Sequence, residues 1–323
     1  MENFKSFLKS TLVVFISLIV GILFCEVILR VKHQYVINYD IEMWKYAKKL
    51  KEKVENRKIN HVHVKNKSAI LQNTEIKINQ FGQRDRGYDQ KFLSKFDRSF
   101  LILGSSVAMG WGVKQENVFT SRLNNKSNIE NKNWIFINGG VGNYNAERYI
   151  NNYFENWKDL KFTDIIIHFF VNDTEIIQQS KVNFFTNNFH LGVVLWKLFN
   201  SYLSIFNPEN IVDYYKLRYQ ENYEGFITTK NELKKLSFHC KKNSINCHLV
   251  LMPDIHKLNP YELNFINTKI KDLSIELDFK FHDLLSAFKG RDEKTIWNEH
   301  GDPHPNSFAN ELMSKDIYKY LIK

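Results

Sequence analysis

Between Lys9 and Arg30 the chain runs STLVVFISLIVGILFCEVIL, twenty residues with one charge, Glu26, close to the far end. Such a run cannot fold as an exposed segment of a water-soluble domain. At about 1.5 Å per residue it is just long enough, as a helix, to cross a hydrocarbon core of about 30 Å. A cleaved signal peptide would end in a small-x-small site. Here the run ends Cys25-Glu26-Val27-Ile28-Leu29, and Phe24 stands where a lipoprotein cysteine is usually preceded by a small residue. The expectation is an uncleaved single-pass anchor over residues 10–29 that meets membrane lipid, behind a short tail of residues 1–9. Charge does not orient it. Lys5 and Lys9 precede the span, Arg30 and Lys32 follow it, and a wider window leans toward a cytoplasmic C-terminal domain.

The 323 residues would make two average domains, or one large α/β domain with additions. With 43% hydrophobic residues the chain can build a sizeable core. The net charge of +10 is spread over lysines, densest between Lys45 and Lys58, and no nucleic-acid motif accompanies them. A solvated helix face near anionic headgroups is the expected role, with no nucleic-acid partner. Of three cysteines, Cys25 lies in the apolar run. Cys240 and Cys247 flank a helix-to-strand loop and could equally be a disulfide or two buried thiols. No Cys/His cluster has zinc spacing, so no metal or organic cofactor is implied. The sequence sets no oligomeric state.

Residues 30–97 read as a stalk and juxtamembrane segment: Ile41, Trp44, Leu50 and Val54 recur at near-helical spacing, and the part after residue 60 is polar and irregular. From residue 98 short apolar runs alternate with helical patterns. Strands are expected at 99–103, 134–138, 164–171, 246–252 and 279–282, and helices at 146–160, 231–242, 261–276 and from Ser307. Runs without strict alternation suit strands buried on both faces. Strand–helix–strand repetition then implies a parallel α/β sheet with right-handed crossovers, whose ligands sit at the strands' carboxyl ends. An insertion of about residues 174–229 breaks the repetition. Within it, residues 189–206 (FHLGVVLWKLFNSYLSIF) suit either a helix covering the sheet edge or a lid and acyl-binding wall over the site. Lys197 and Asn200 speak against a second span.

Four stretches carry chemistry. Asp302-Pro303-His304-Pro305 sets a carboxylate two residues from an imidazole, between prolines that restrict the backbone. A carboxylate that orients a histidine is half of a nucleophilic triad. Gly104-Ser105-Ser106 ends the first strand of the repeat and places a hydroxyl at a helix start, where a helix cap is the ordinary alternative. The glycines of Asn138-Gly139-Gly140-Val141-Gly142-Asn143 allow close backbone approach, or simply a tight turn. Asn172, at the end of the third strand, can donate to an oxyanion or cap a helix.

Their order and placement together resemble the SGNH (GDSL-type) hydrolase superfamily over about residues 98–323. Asn79-Gln80-Phe81-Gly82-Gln83-Arg84, Met252-Pro253-Asp254-Ile255-His256 and His282-Asp283 are similar to its membrane-anchored bacterial subgroup. The resemblance implies a three-layer, flavodoxin-like sheet. It implies Ser106 as nucleophile, His304 as general base and Asp302 as its orienting carboxylate. The implied oxyanion hole combines the Ser106 amide, the amide at Asn143 and the Asn172 side chain. Ser105 stands where the family usually has Asp, which makes it a minor rival nucleophile, and Asn143 stands where it usually has Gly. The two-residue Asp302–His304 spacing is that of the anchored subgroup. The implied activity is hydrolysis of an acylated small molecule or glycan ester by an extracytoplasmic domain. Acyl transfer to a sugar hydroxyl, or a degenerate member that only binds glycan or a partner, are the alternatives.

Overall fold

The computed structural model describes residues 2–177, 184–205, 210–299 and 302–323. The chain forms two compact units, Met1–Lys48 with Ser180–Pro208, and Lys49–Gln179 with Glu209–Lys323.

The first unit is helical. The apolar run lies within one helix, Glu2–Tyr35, that is long and apolar enough to cross a membrane. Its apolar side chains, among them Leu12, Phe15, Leu18 and Leu23, are exposed. Beyond the run the same helix is tied into its unit. The ring of His33 lies 2.8 Å from the Glu42 carboxylate in the helix Tyr39–Leu50, and Lys45 joins that carboxylate at 2.7 Å. The unit also takes in helices Phe184–Asn188 and His190–Ile205. The inserted apolar segment was expected over the sheet edge or the site. The structure groups it with the N-terminal helix, where Glu26 accepts the amides of His190 and Leu191 at 3.0 and 2.9 Å. Phe206 lies outside the described residues.

The second unit is built on five strands: β1 (Arg98–Gly104), β2 (Trp134–Gly140), β3 (Asp164–Phe170), β4 (Asn246–Met252) and β5 (Lys280–Asp283). All pair in parallel, in the order β2-β1-β3-β4-β5. That is the flavodoxin-like doubly wound order. Burial on both faces explains the unbroken apolar runs. In β1, Leu101 and Leu103 join one core, whereas Phe100 and Ile102 join the other. Helices Ala146–Asn152, Glu224–Lys242 and Asn264–Glu276 supply Tyr149, Leu236 and Ile270 to the first core. Helices Phe119–Ile129 and Ser307–Leu321 supply Leu123 and Met313 to the second, giving three layers.

The stalk expected to reach residue 97 is shorter. Residues from Lys49 onward belong to the sheet-bearing unit. Two hairpins, Lys51–Lys53 with His61–His63 and Ser68–Leu71 with Thr74–Lys77, make up part of this stretch. Ile59, Tyr88 and Leu93 bury themselves in the first core. Few apolar residues among many polar ones hid this from a periodicity argument. Cys240 and Cys247 form a disulfide between the helix Glu224–Lys242 and β4.

Candidate active site

The site assembles where β1 ends. The helix Ser106–Met109 starts two residues after Gly104 and stops at Gly110, whose φ of 81° is left-handed. Its close seat requires Gly140 at the end of β2, where a Cβ would strike the backbone of Ala108 and Met109. Arg84 fixes the turn from behind. Its guanidinium is buried and donates to the carbonyls of Met109 (3.1 Å), Gly110 (2.6 Å) and Val113 (2.6 Å). The turn that delivers Arg84 is held by Asn79, whose side-chain oxygen accepts the amides of Phe81 and Gln83. The Asn-x-x-Gly-x-Arg stretch thus acquires a physical role that its sequence did not disclose.

The acid–base pair arrives on a hairpin of Trp297–Glu299 with Asp302–Pro305, followed by Asn306 as N-cap of the last helix. His304 Nε2 lies 2.8 Å from Ser106 Oγ, and His304 Nδ1 lies 2.6 Å from Asp302 Oδ1. Asp302 also accepts the His304 amide at 3.2 Å and the Asn298 side-chain amide at 3.3 Å. Burial opposes ionisation of Asp302. The hydrogen bond and charge of His304, with help from Asn298, overcome it and hold the carboxyl below the usual range. Asn298 is itself located by Gly112: with φ of 74°, a Cβ there would collide with the Asn298 amide. Asn298 was not identifiable from sequence, because its tie to Asp302 depends on the hairpin.

The structure brings Ser106, His304 and Asp302 together and leaves Ser105 apart. The Ser105 hydroxyl is buried and has no hydrogen-bond partner among the described residues. Its residue is the N-cap of the short helix, so the amide of Ser106 opens the first turn, where N–H groups lack intrahelical acceptors. Asn143 is left-handed, with φ of 65°, a conformation that asparagine tolerates better than most residues. Two donors grip the backbone around it. His61 Nε2 lies 3.0 Å from the Gly142 carbonyl, and Arg148 donates to the Asn143 carbonyl at 2.8 Å. Burial first, then the nearby Lys51 charge, pushes the His61 pKa far down, so the ring is neutral and can donate to Gly142 from one nitrogen. Asn172 follows β3. One N–H of its amide goes to Glu175 at 2.7 Å, and its oxygen accepts from Tyr214 at 3.3 Å. A primary amide has two N–H donors, and among the described residues Glu175 is hydrogen-bonded to one of them.

A second Asp-x-His pair stands after β4. Asp254 Oδ1 lies 2.6 Å from His256 Nδ1, and Asp254 further accepts the His256 amide at 2.8 Å and the Tyr215 hydroxyl at 3.0 Å. Its hydrogen bond to Asp254 raises the His256 pKa against the opposing effect of burial. The Trp297 indole donates to the Ile255 carbonyl at 2.9 Å and so ties this loop to the hairpin that carries His304.

No family model and no curated protein matches the sequence. Among solved structures, the psychrotrophic esterase EstA from Pseudoalteromonas sp. is 14% identical over 70% of this chain and 100% of its own, with a TM-score of 0.44. TesA is 10% identical over 69% and 98%, with a TM-score of 0.46. An acetyl xylan esterase, Axe2, from Geobacillus stearothermophilus is 11% identical over 70% and 95%, with a TM-score of 0.47.

Proposed function

We propose that the chain is a membrane-anchored serine ester hydrolase of the SGNH type. One observation carries the reading: Ser106 Oγ is 2.8 Å from a histidine nitrogen whose other nitrogen is 2.6 Å from a buried carboxylate. In the reaction, Ser106 Oγ bonds to the acyl carbon while its proton passes to His304 Nε2. The carbonyl electron pair moves to oxygen. The resulting oxyanion is received by the amides of Ser106 and Asn143 and the second N–H of Asn172, each worth about 3 kcal/mol in the transition state. Asp302 keeps the proton on Nδ1 in the resting state and stabilises the imidazolium. His304 then gives its proton to the departing alkoxide, leaving an acyl ester on Ser106. Water attacks that ester with its proton passing to His304, which returns it to Ser106 Oγ as the bond to the acyl carbon breaks and the acid leaves.

The anchor is the helix Glu2–Tyr35. Glu26, Arg30 and His33 take part in packing within its unit, which favours a retained helix over a removed signal. The Cys240–Cys247 pairing favours an oxidising, extracytoplasmic compartment. Esters available there include the O-acetyl and O-acyl groups of envelope glycans, which we take as the substrate class. The test is to incubate the full chain in detergent micelles with an O-acetylated oligosaccharide and excess unacetylated acceptor, then follow free acetate and acetylated acceptor. Acetate release is expected. Acetyl groups found mainly on the acceptor would make the protein a transferase. Neither product, with short-chain esters also inert, would contradict the enzyme reading.

A further inference from the structure

The single charge of the apolar run is answered by a helix end. Both carboxylate oxygens of Glu26 accept amides from the first turn of His190–Ile205, at 3.0 and 2.9 Å, and Arg30 binds the same carboxylate at 2.6 Å. A carboxylate near the end of a membrane-spanning helix needs such partners, because lipid offers none. The helix it caps is amphipathic. Lys197, Asn200 and Ser201 mark one face. On the other, Leu195, Leu198, Phe199 and Tyr202 are between 55% and 62% exposed. The preceding Phe184 and Phe185 extend this exposed apolar surface. Between it and the long helix lies a cavity of about 450 Å³ whose walls include Ile22, Leu23, Phe189, Leu195 and Phe199.

The apolar face is continuous with the surface of the spanning helix itself, and this identifies its occupant. Ile22, Leu23 and Glu26 lie roughly 5–10 Å along the helix from Leu29, the end of the apolar run. That is the depth to which amphipathic helices sink in the boundary between headgroups and acyl chains. We propose that His190–Ile205 is a second membrane-bound element, lying in the lipid interface, with phospholipid acyl chains filling the cavity against Ile22 and Leu23. The proposal rests on the anchor reading above and goes beyond it. The chain passes between the two units three times, after Lys48, Gln179 and Pro208. The catalytic unit is then joined to a lipid-bound unit by three connections instead of one stalk.

The test uses spin labels on the full chain in vesicles of phosphatidylethanolamine and phosphatidylglycerol, with Cys25→Ser as background. Labels at Leu195→Cys and Phe199→Cys are compared with labels at Lys197→Cys and, inside the span, Phe15→Cys. Relaxation by oxygen, which partitions into lipid, is set against relaxation by a water-soluble nickel chelate. The expected result is an oxygen-to-nickel ratio several-fold higher at positions 195 and 199 than at 197, approaching that at 15. A high ratio at 15 with nickel-accessible labels at 195 and 199 overturns the interfacial helix and leaves the anchor standing. Nickel access at 15 overturns both. Labels at 195 and 199 shielded from both reagents mean that protein covers this face, which overturns the lipid assignment.

Discussion

Two Asp-x-His pairs share this molecule and nearly the same local geometry. In each, the carboxylate is buried, lies 2.6 Å from Nδ1 of the histidine two residues on, and accepts that histidine's amide. Asp302 is steadied by Asn298, Asp254 by Tyr215. The difference lies at the other nitrogen. His304 meets the Ser106 hydroxyl and its side chain is 15% exposed, whereas the His256 side chain is 50% exposed, with no serine hydrogen-bonded to it among the described residues. An oriented imidazole by itself therefore does not mark the site. What makes one pair a candidate site is the short helix, pinned by Arg84 and Gly140, that carries a hydroxyl to it.

The comparison can be broken first at the nucleophile. Ser106→Ala and His304→Ala should each lower ester turnover about 10⁴- to 10⁶-fold, because the parts of a triad act as a unit. Retention of more than about a hundredth of the rate in either variant would leave the two pairs without the proposed distinction. Asp302→Asn should cost about 10⁴-fold, since an amide facing Nδ1 favours the wrong tautomer. Asn298→Ala should cost about tenfold, the worth of one hydrogen bond to a charged group.

His256→Ala should leave turnover within about threefold of the parent, as at an ordinary surface position. Its effect should appear in stability, and with a pH dependence. The Asp254 pKa is lowered in the fold: burial resists ionisation, and the His256 contact overcomes that resistance. Its contribution is present above the unfolded value of about 3.9 and is lost as pH falls through the folded one. The His256 pKa is raised, so its contribution is full below about 6.5 and is lost as pH rises through the folded value. The pair thus stabilises most between about pH 4 and 6.5, by less than about 1 kcal/mol given its exposure. Urea midpoints of His256→Ala and parent should differ more at pH 5 than at pH 8. An equal difference at both would show that the charge of His256 contributes nothing.

Much of this was legible in the chain, for physical reasons. The strands β1 to β4 are apolar on both faces, and their runs mark them within a residue or two. Ser106, Asn172 and His304 follow strand ends or precede a helix, where sheet topology concentrates side chains. The supporting shell was not legible. His61 and Arg148 act through backbone carbonyls, Asn298 through a hairpin, and Arg84, in a stretch noted only for its resemblance, through the carbonyls of Met109, Gly110 and Val113. None of these roles leaves a periodic trace. The partner of residues 189–205 was not legible for a related reason. Their amphipathic pattern shows that a face is buried or lipid-exposed, but not against what, and Glu26 is far away in sequence.

The central claim is that Ser106, and not its neighbour, is the hydroxyl activated by His304. It is tested most directly by treating the full chain with a fluorophosphonate and locating the adduct by peptide mass spectrometry, beside His304→Ala. The account predicts one adduct, on Ser106, formed rapidly in the parent and not detectably in His304→Ala. An adduct on Ser105, or labelling of Ser106 that proceeds equally fast without His304, would contradict it.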